Sequence, residues 1–169
     1  MAEIEITYEE RKQLFSNMML QCRVPLNEID EINRKLDDLN YFIQPASISH
    51  HGNYEGGLFD HSYAVAKALV DLTKKLDLKW ERKLSPYVVG LFHDLCKCNS
   101  YMYNKYTKQW EYNTNSLTTG HGDLSVIMAQ QFCMLNEEEI ACIRWHMGAY
   151  DEKENWDATN SWSGYNYQG

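Results

Sequence analysis

Apolar positions along this chain recur mostly at the three- and four-residue intervals of an α-helix. Over residues 8–21, Leu14, Phe15, Met18 and Met19 keep that spacing until Pro25 interrupts it. Residues 27–41 carry a second stripe, Ile29, Ile32, Leu36 and Leu39, with Asn27 placed as the N-cap. Residues 60–78 put His61 on the face of Val65, Ala68 and Leu72, so its imidazole is expected to point toward the core. From Pro86, a first-turn residue, to about Cys96 the chain is apolar nearly all round, the pattern of a central, buried helix. Thr118 to Asp123 form a polar loop opening a helix to about Leu135, with His121 near its start. Asn136 and the acids Glu137, Glu138 and Glu139 open a last helix that carries Ile140, Ile143 and His146. Cys142 and Ile143 lie one turn before His146, so this histidine is also expected to face inward.

Four stretches break the helical period. Residues 42–59 read as a glycine-rich loop containing His50 and His51, and residues 79–85 as a polar, basic-leaning connection. Between 100 and 113, Tyr101, Tyr103, Tyr106, Trp110 and Tyr112 alternate with polar residues, the period of a short β-hairpin turning near Thr107 and Lys108. Residues 150–169 are polar and aromatic, without apolar periodicity. The pattern predicts an all-α domain over residues 1–169 with one hairpin insertion. Its parts are N-terminal helices (1–41), a functional core (42–149) and a tail (150–169).

Composition narrows the function classes. The 169 residues suit one domain. Twenty-four acids against 16 bases give a net charge of -8, which argues against an extended nucleic-acid surface. It leaves room for a nucleotide held at a metal, because the ion brings its own positive charge. The five cysteines follow no disulfide framework, the N-terminus is acidic without an apolar core, and no apolar run approaches a membrane span. These features predict no membrane association and a reducing cytoplasm. Oligomeric state stays open.

The chemistry concentrates where the apolar run ends, at Gly90-Leu-Phe-His93-Asp94-Leu-Cys-Lys97. Burying a histidine and a carboxylate without partners would cost several kcal/mol, about 1–3 even for a neutral polar group, so they call for one. A metal ion suits an adjacent His and Asp. Together with His61, His121 and His146 they form a set of imidazoles and a carboxylate that suits divalent Mn, Fe, Co, Ni or Zn. Asp94 has two oxygens and is able to bridge two ions, the arrangement that holds attacking and leaving oxygens in phosphoryl transfer around a metal-activated water. Lys97, one turn on, is placed either to meet a phosphate oxygen or to pair with Asp94. His51 is expected in the pocket wall, touching substrate, with a plain exposed turn as the bland reading. Tyr101 belongs to an aromatic flap that either packs for stability or closes over a base. Cys96 and Cys98 flank Lys97, but cysteines are common core residues, and nucleophilic cysteine is the weaker idea.

Gly57-Leu-Phe-Asp-His61-Ser-Tyr-Ala-Val-Ala and the His93-Asp94 stretch resemble the HD-domain superfamily of metal-dependent phosphohydrolases, in its small bacterial and phage forms. Gly120-His121-Gly-Asp-Leu-Ser-Val and Ile143-Arg-Trp-His146-Met-Gly look like the additional histidines of its longer-motif members. The resemblance implies a helical bundle, with His61, His93 and Asp94 holding a first ion and His121 and His146 a second. It also implies hydrolysis of a phosphomonoester or phosphodiester, commonly of a nucleotide. The superfamily's site normally closes with an Asp on a helix after the last His. Here the available carboxylates are Asp123, Asp151 and Asp157, none of them in such a motif. The alternative is therefore a scaffold impaired in catalysis that binds a nucleotide or a partner protein.

Overall fold

A computed structural model describes residues 6–49, 52–116 and 120–148. His50, His51, Asp151, Asp157 and the rest of the expected tail lie outside the described residues. The described chain forms α1 (Tyr8–Gln21), α2 (Leu26–Asp38), α3 (Gly57–Leu76), α4 (Ser85–Phe92), α5 (Lys97–Ser100), β1 (Tyr101–Asn104), β2 (Gln109–Tyr112), α6 (His121–Ala129) and α7 (Glu137–Arg144). The fold is helical with a single antiparallel hairpin among the described residues, as the sequence pattern predicts.

Helix α1 braces α3, and α2 packs on α1. Thr7 and Glu10 form a capping box at the start of α1. The N-cap of α2 is Pro25, not the expected Asn27, which falls inside the first turn. Pro25 needs no amide hydrogen there, and its extended ψ of 145° turns the chain into the helix. Arg11, almost fully buried, donates through Nε and Nη2 to both oxygens of Asp60 at 2.9 and 3.0 Å, tying α1 to the first turn of α3. Beneath these helices Phe15, Tyr41, Phe42, Phe59 and Phe92 form the aromatic centre of the core.

Which face of α3 is buried differs from expectation. Leu58, Phe59, Ser62 and Ala66 face the core, whereas Ala68 is exposed and Leu72 is 46 % exposed. Both stripes are apolar in sequence, and packing chooses between them. A Cβ added at Gly90 of α4 would lie 2.3 Å from the Ala66 Cα, so α4 seats against the Ala66 face only because residue 90 has no side chain. His61 is left at the edge of that seam, half-buried, instead of inside the core.

Helix α4 ends at Phe92, short of the expected Cys96. The His93 amide still bonds the Val89 carbonyl, but Leu95, Lys97 and Cys98 donate to carbonyls three residues back, at Phe92, Asp94 and Leu95. This tighter winding turns the chain through His93–Cys96 before α5 and places two polar side chains at a helix end in the interior. In the hairpin, Tyr101 pairs with Tyr112 and Asn104 with Gln109. The Asn104 Oδ1 accepts from the Tyr106 and Thr107 amides, which shapes the turn.

Helix α6 stops at Ala129, six residues short of the expected Leu135. Asn136 caps α7 as expected, and Glu139 completes a capping box there. Glu139 is fully buried and also accepts from Arg82, while Glu138 accepts from the Glu81 amide at 2.9 Å. These acids therefore bind the 79–84 segment onto α7 rather than simply facing the helix dipole. Among the described residues no helix is long and apolar enough to cross a membrane.

Candidate metal centre

Three ligand atoms define the site. His61 Nε2 lies 3.3 Å from His93 Nε2 and 3.5 Å from Asp94 Oδ2, and His93 Nε2 lies 3.3 Å from the same oxygen. His146 approaches the other carboxylate oxygen, with Nε2 3.4 Å from Oδ1. His93 and Asp94 are buried, and His146 is 15 % exposed.

Local backbone fixes two of the rings. His93 follows the last residue of α4, and its Nδ1 lies 2.9 Å from the Gly90 carbonyl, three residues back. His146 stands just past α7 in the same relation to the Ile143 carbonyl, at 2.7 Å. A carbonyl only accepts, so each Nδ1 carries the hydrogen and donates. In the neutral ring Nε2 is then a bare lone pair directed at the carboxylate. Such a carbonyl partner on the far nitrogen is the usual support of a metal-ligating histidine.

The donor set passes a test of fit to one ion. Ligands about 2.1 Å from a tetrahedral metal lie about 3.4 Å apart, and the three observed separations bracket that value. His146 Nε2 is buried and makes no hydrogen bond among the described residues, so it is a nitrogen with capacity to spare. Two or three imidazoles with one carboxylate suit a borderline divalent transition metal. His61, His93 and Asp94 could hold it.

Electrostatics keep the carboxylate charged. Burial alone would raise the pKa of Asp94. His146, His93 and Lys97 outweigh it and hold the carboxyl far below the usual range. Burial likewise pulls His146 down, but the Asp94 carboxylate and the Ile143 carbonyl leave its pKa above the ordinary value. Lys97 takes the second of its two expected roles in this structure, with Nζ donating to Asp94 Oδ2 at 2.8 Å.

The remaining candidates lie elsewhere. His121, at the start of α6, is exposed, and its Nδ1 sits 3.4 Å from the Cys96 sulfur. Asp123 pairs with Arg144 at 2.7 Å. Tyr101 is buried at the foot of the hairpin against the Tyr112 ring. His51 lies outside the described residues. Cys96 is 1 % exposed and its thiol is pushed up to about 11 by burial, which suits a core residue better than a nucleophile.

A cavity of about 600 Å³ opens onto the cluster. His61, His93, Asp94, Lys97 and His146 form its polar side, and Val65, Leu69, Val89 and Trp80 are among its apolar lining. Trp80 was hidden in the sequence because it stands alone in a polar connection. Its indole Nε1 donates to Thr73 Oγ1 at 2.9 Å, which fixes the ring. The only sequence signal was a large aromatic residue with no apolar neighbours to explain it.

Neither a curated protein nor a solved structure matches the chain. The HD domain family does, over residues 58–166, a span holding all five candidate metal ligands and more than half of the chain. HD domains are generally metal-dependent hydrolases, and a His-His-Asp triangle at the expected dipeptide agrees with that chemistry. The chain belongs to the HD domain family.

Proposed function

We propose that the protein is a divalent-metal-dependent phosphohydrolase that cleaves a phosphomonoester or phosphodiester, with a nucleotide as the substrate class. The observation that supports it most is the convergence of three imidazole nitrogens on the two oxygens of one ionised, buried carboxylate, Asp94, at 3.3 to 3.5 Å. His61, His93 and Asp94 hold the first ion in this reading, and His146 with His121 serves a second. When bound, a divalent ion supplies Lewis acidity, polarising a phosphoryl oxygen and acidifying water to about pKa 7. The chain's own groups do the rest. The Gly90 and Ile143 carbonyls hold the His93 and His146 rings in place, and Asp94 keeps its charge without titrating near neutral pH. Lys97 lines the same cavity as the cluster and presents its ammonium to a phosphate oxygen. The apolar wall of Val65, Leu69, Val89 and Trp80 shelters the reacting centre from bulk water and packs on the organic part of the ester. His51 and Tyr101 complete the substrate contacts in this reading.

The test is turnover of a nucleotide panel and a generic phosphoester with added Mn²⁺. Activity in the wild type, lost in Asp94→Ala, is the expected result. Tight nucleotide binding without turnover of any member would replace the hydrolase with a binding scaffold.

A further inference from the structure

The candidate site is not the end of the seam between α3 and α4. The two helices run antiparallel: His61 near the start of α3 meets His93 at the end of α4, and Thr73 and Lys74 late in α3 share a second cavity with Pro86 and Tyr87 at the start of α4. This cavity, about 470 Å³, is lined by Lys74, Lys79 and Lys83 together with Trp80 and Tyr87, and no acidic side chain is among its lining in the described residues. Asp77 pairs with Lys79 outside the cavity, but both side chains are more than three-quarters exposed, so water screens that pair heavily. In a chain of net charge -8, three lysines gathered around two aromatic rings run against the average field.

Trp80 lines both cavities. Its N–H is committed to Thr73, and its segment is anchored on α7 through Arg82–Glu139 and the Glu81 amide on Glu138. It therefore offers a fixed π-surface rather than a donor. From His61 to Lys74 the helix rises about 20 Å at 1.5 Å per residue, too far for the phosphates of one mononucleotide to reach both ends. Phosphates on either side of a base stacked on an aromatic ring is the repeat of a single-stranded nucleic acid. An acidic peptide would satisfy the lysines, but an oligonucleotide supplies a flat ring and an anion at every residue, which suits Trp80 and Tyr87 set among them.

The geometry points to a second anion subsite at Lys74, Lys79 and Lys83, beyond Trp80, and to a short single-stranded oligonucleotide as the ligand spanning both cavities. This rests on the phosphohydrolase reading and narrows its substrate class. A site only a few nucleotides long is compatible with the expectation of no extended nucleic-acid surface.

The experiment measures kcat and KM with Mn²⁺ for single-stranded oligonucleotides of one to five residues. In parallel, it measures the anisotropy of a fluorescein-labelled trinucleotide bound to the Asp94→Asn variant. KM is expected to fall once the ligand is long enough to reach the lysines, with kcat little changed. Two phosphates neutralised in the groove give a salt slope of about -1.4, so trinucleotide affinity should drop about sevenfold between 50 and 200 mM salt. Lys74→Ala/Lys83→Ala should remove the length preference and flatten that slope, whereas the same two-charge loss at exposed Arg23 and Arg34 should not. A KM independent of length, or equal effects of the two double variants, would overturn the subsite. If nothing is turned over, the hydrolase reading fails, and the anisotropy arm alone decides the groove. There, trinucleotide binding indifferent to Lys74 and Lys83 would overturn it.

Discussion

The Nε2 atoms of His61, on α3, and His93, just past α4, lie 3.3 Å apart, about one turn from the point where the two helix backbones touch, at Gly90 and Ala66. Two imidazole nitrogens at that distance beside a carboxylate need either a shared proton or a cation. A cation that satisfies the native state but not the unfolded chain stabilises folding. At one hundred times its Kd a divalent metal should add about 2.7 kcal/mol, which raises Tm by roughly 5–10 °C for a chain of this size. Differential scanning calorimetry with Mn²⁺ or Zn²⁺ and then a chelator checks this. The shift should vanish in His93→Ala.

Gly90→Ala should be far worse than an ordinary helix substitution. Ala favours helix by about 1 kcal/mol over Gly, yet here its methyl would lie 2.3 Å from backbone Cα and 2.6 Å from backbone N of Ala66. Overpacking costs about 1–3 kcal/mol or more, and the clash also spreads His61 from His93. Denaturant unfolding should show net loss of stability, and the metal-induced Tm shift should fall. Adding Ala66→Gly should not rescue it, because the obstacle is backbone.

Arg82 and Lys79 sit in one short segment and should behave in opposite ways. Arg82→Ala leaves the fully buried Glu139 carboxylate without its cation, a change that costs about 3–5 kcal/mol. Lys79→Ala breaks a highly exposed pair with Asp77 and should change stability by no more than about 0.5 kcal/mol. Urea midpoints of the two variants compare them directly. Similar losses would mean that the 79–84 segment is not fastened by the buried acid.

Thiol chemistry should be slow in the folded protein. Burial pushes Cys96 and Cys142 up to about 11 and Cys133 up to about 12, so their thiolates form only as pH rises well above the ordinary cysteine range. At pH 8 a disulfide reagent should label Cys96, Cys133 and Cys142 of the native chain slowly and all five cysteines quickly in denaturant. The proposed phosphohydrolase activity should survive brief native alkylation.

The fold was legible where the apolar period has one solution, and the site where polar residues interrupt it. Helix α1, the hairpin register near Thr107 and Lys108, and the Asn136 cap all follow from local chemistry. The buried face of α3 did not, since two apolar stripes compete and the tie is broken by Gly90, a residue with no side chain to read. His93 and Asp94 announced themselves as polar groups ending an apolar run. Their orientation depends on the tight turn after Phe92, which no residue type signals. Trp80 and the Arg82–Glu139 pair stayed hidden because their partners are more than 50 residues away in sequence for the pair, and because a lone tryptophan in a polar segment has no periodicity. The carbonyl anchors of His93 and His146 were hidden as well, because both histidines read as lying within helices that in fact end before them, at Phe92 and Arg144.

In the proposed reading His61, His93 and Asp94 hold the first divalent ion, with His146 facing the other Asp94 oxygen. Anomalous diffraction from crystals grown with Mn²⁺, collected to emphasise that metal, tests it most directly. The expected result is a peak about 2.0–2.3 Å from His61 Nε2, His93 Nε2 and Asp94 Oδ2. Crystals saturated with metal that show no peak there, or a peak bound only at other residues, would contradict it.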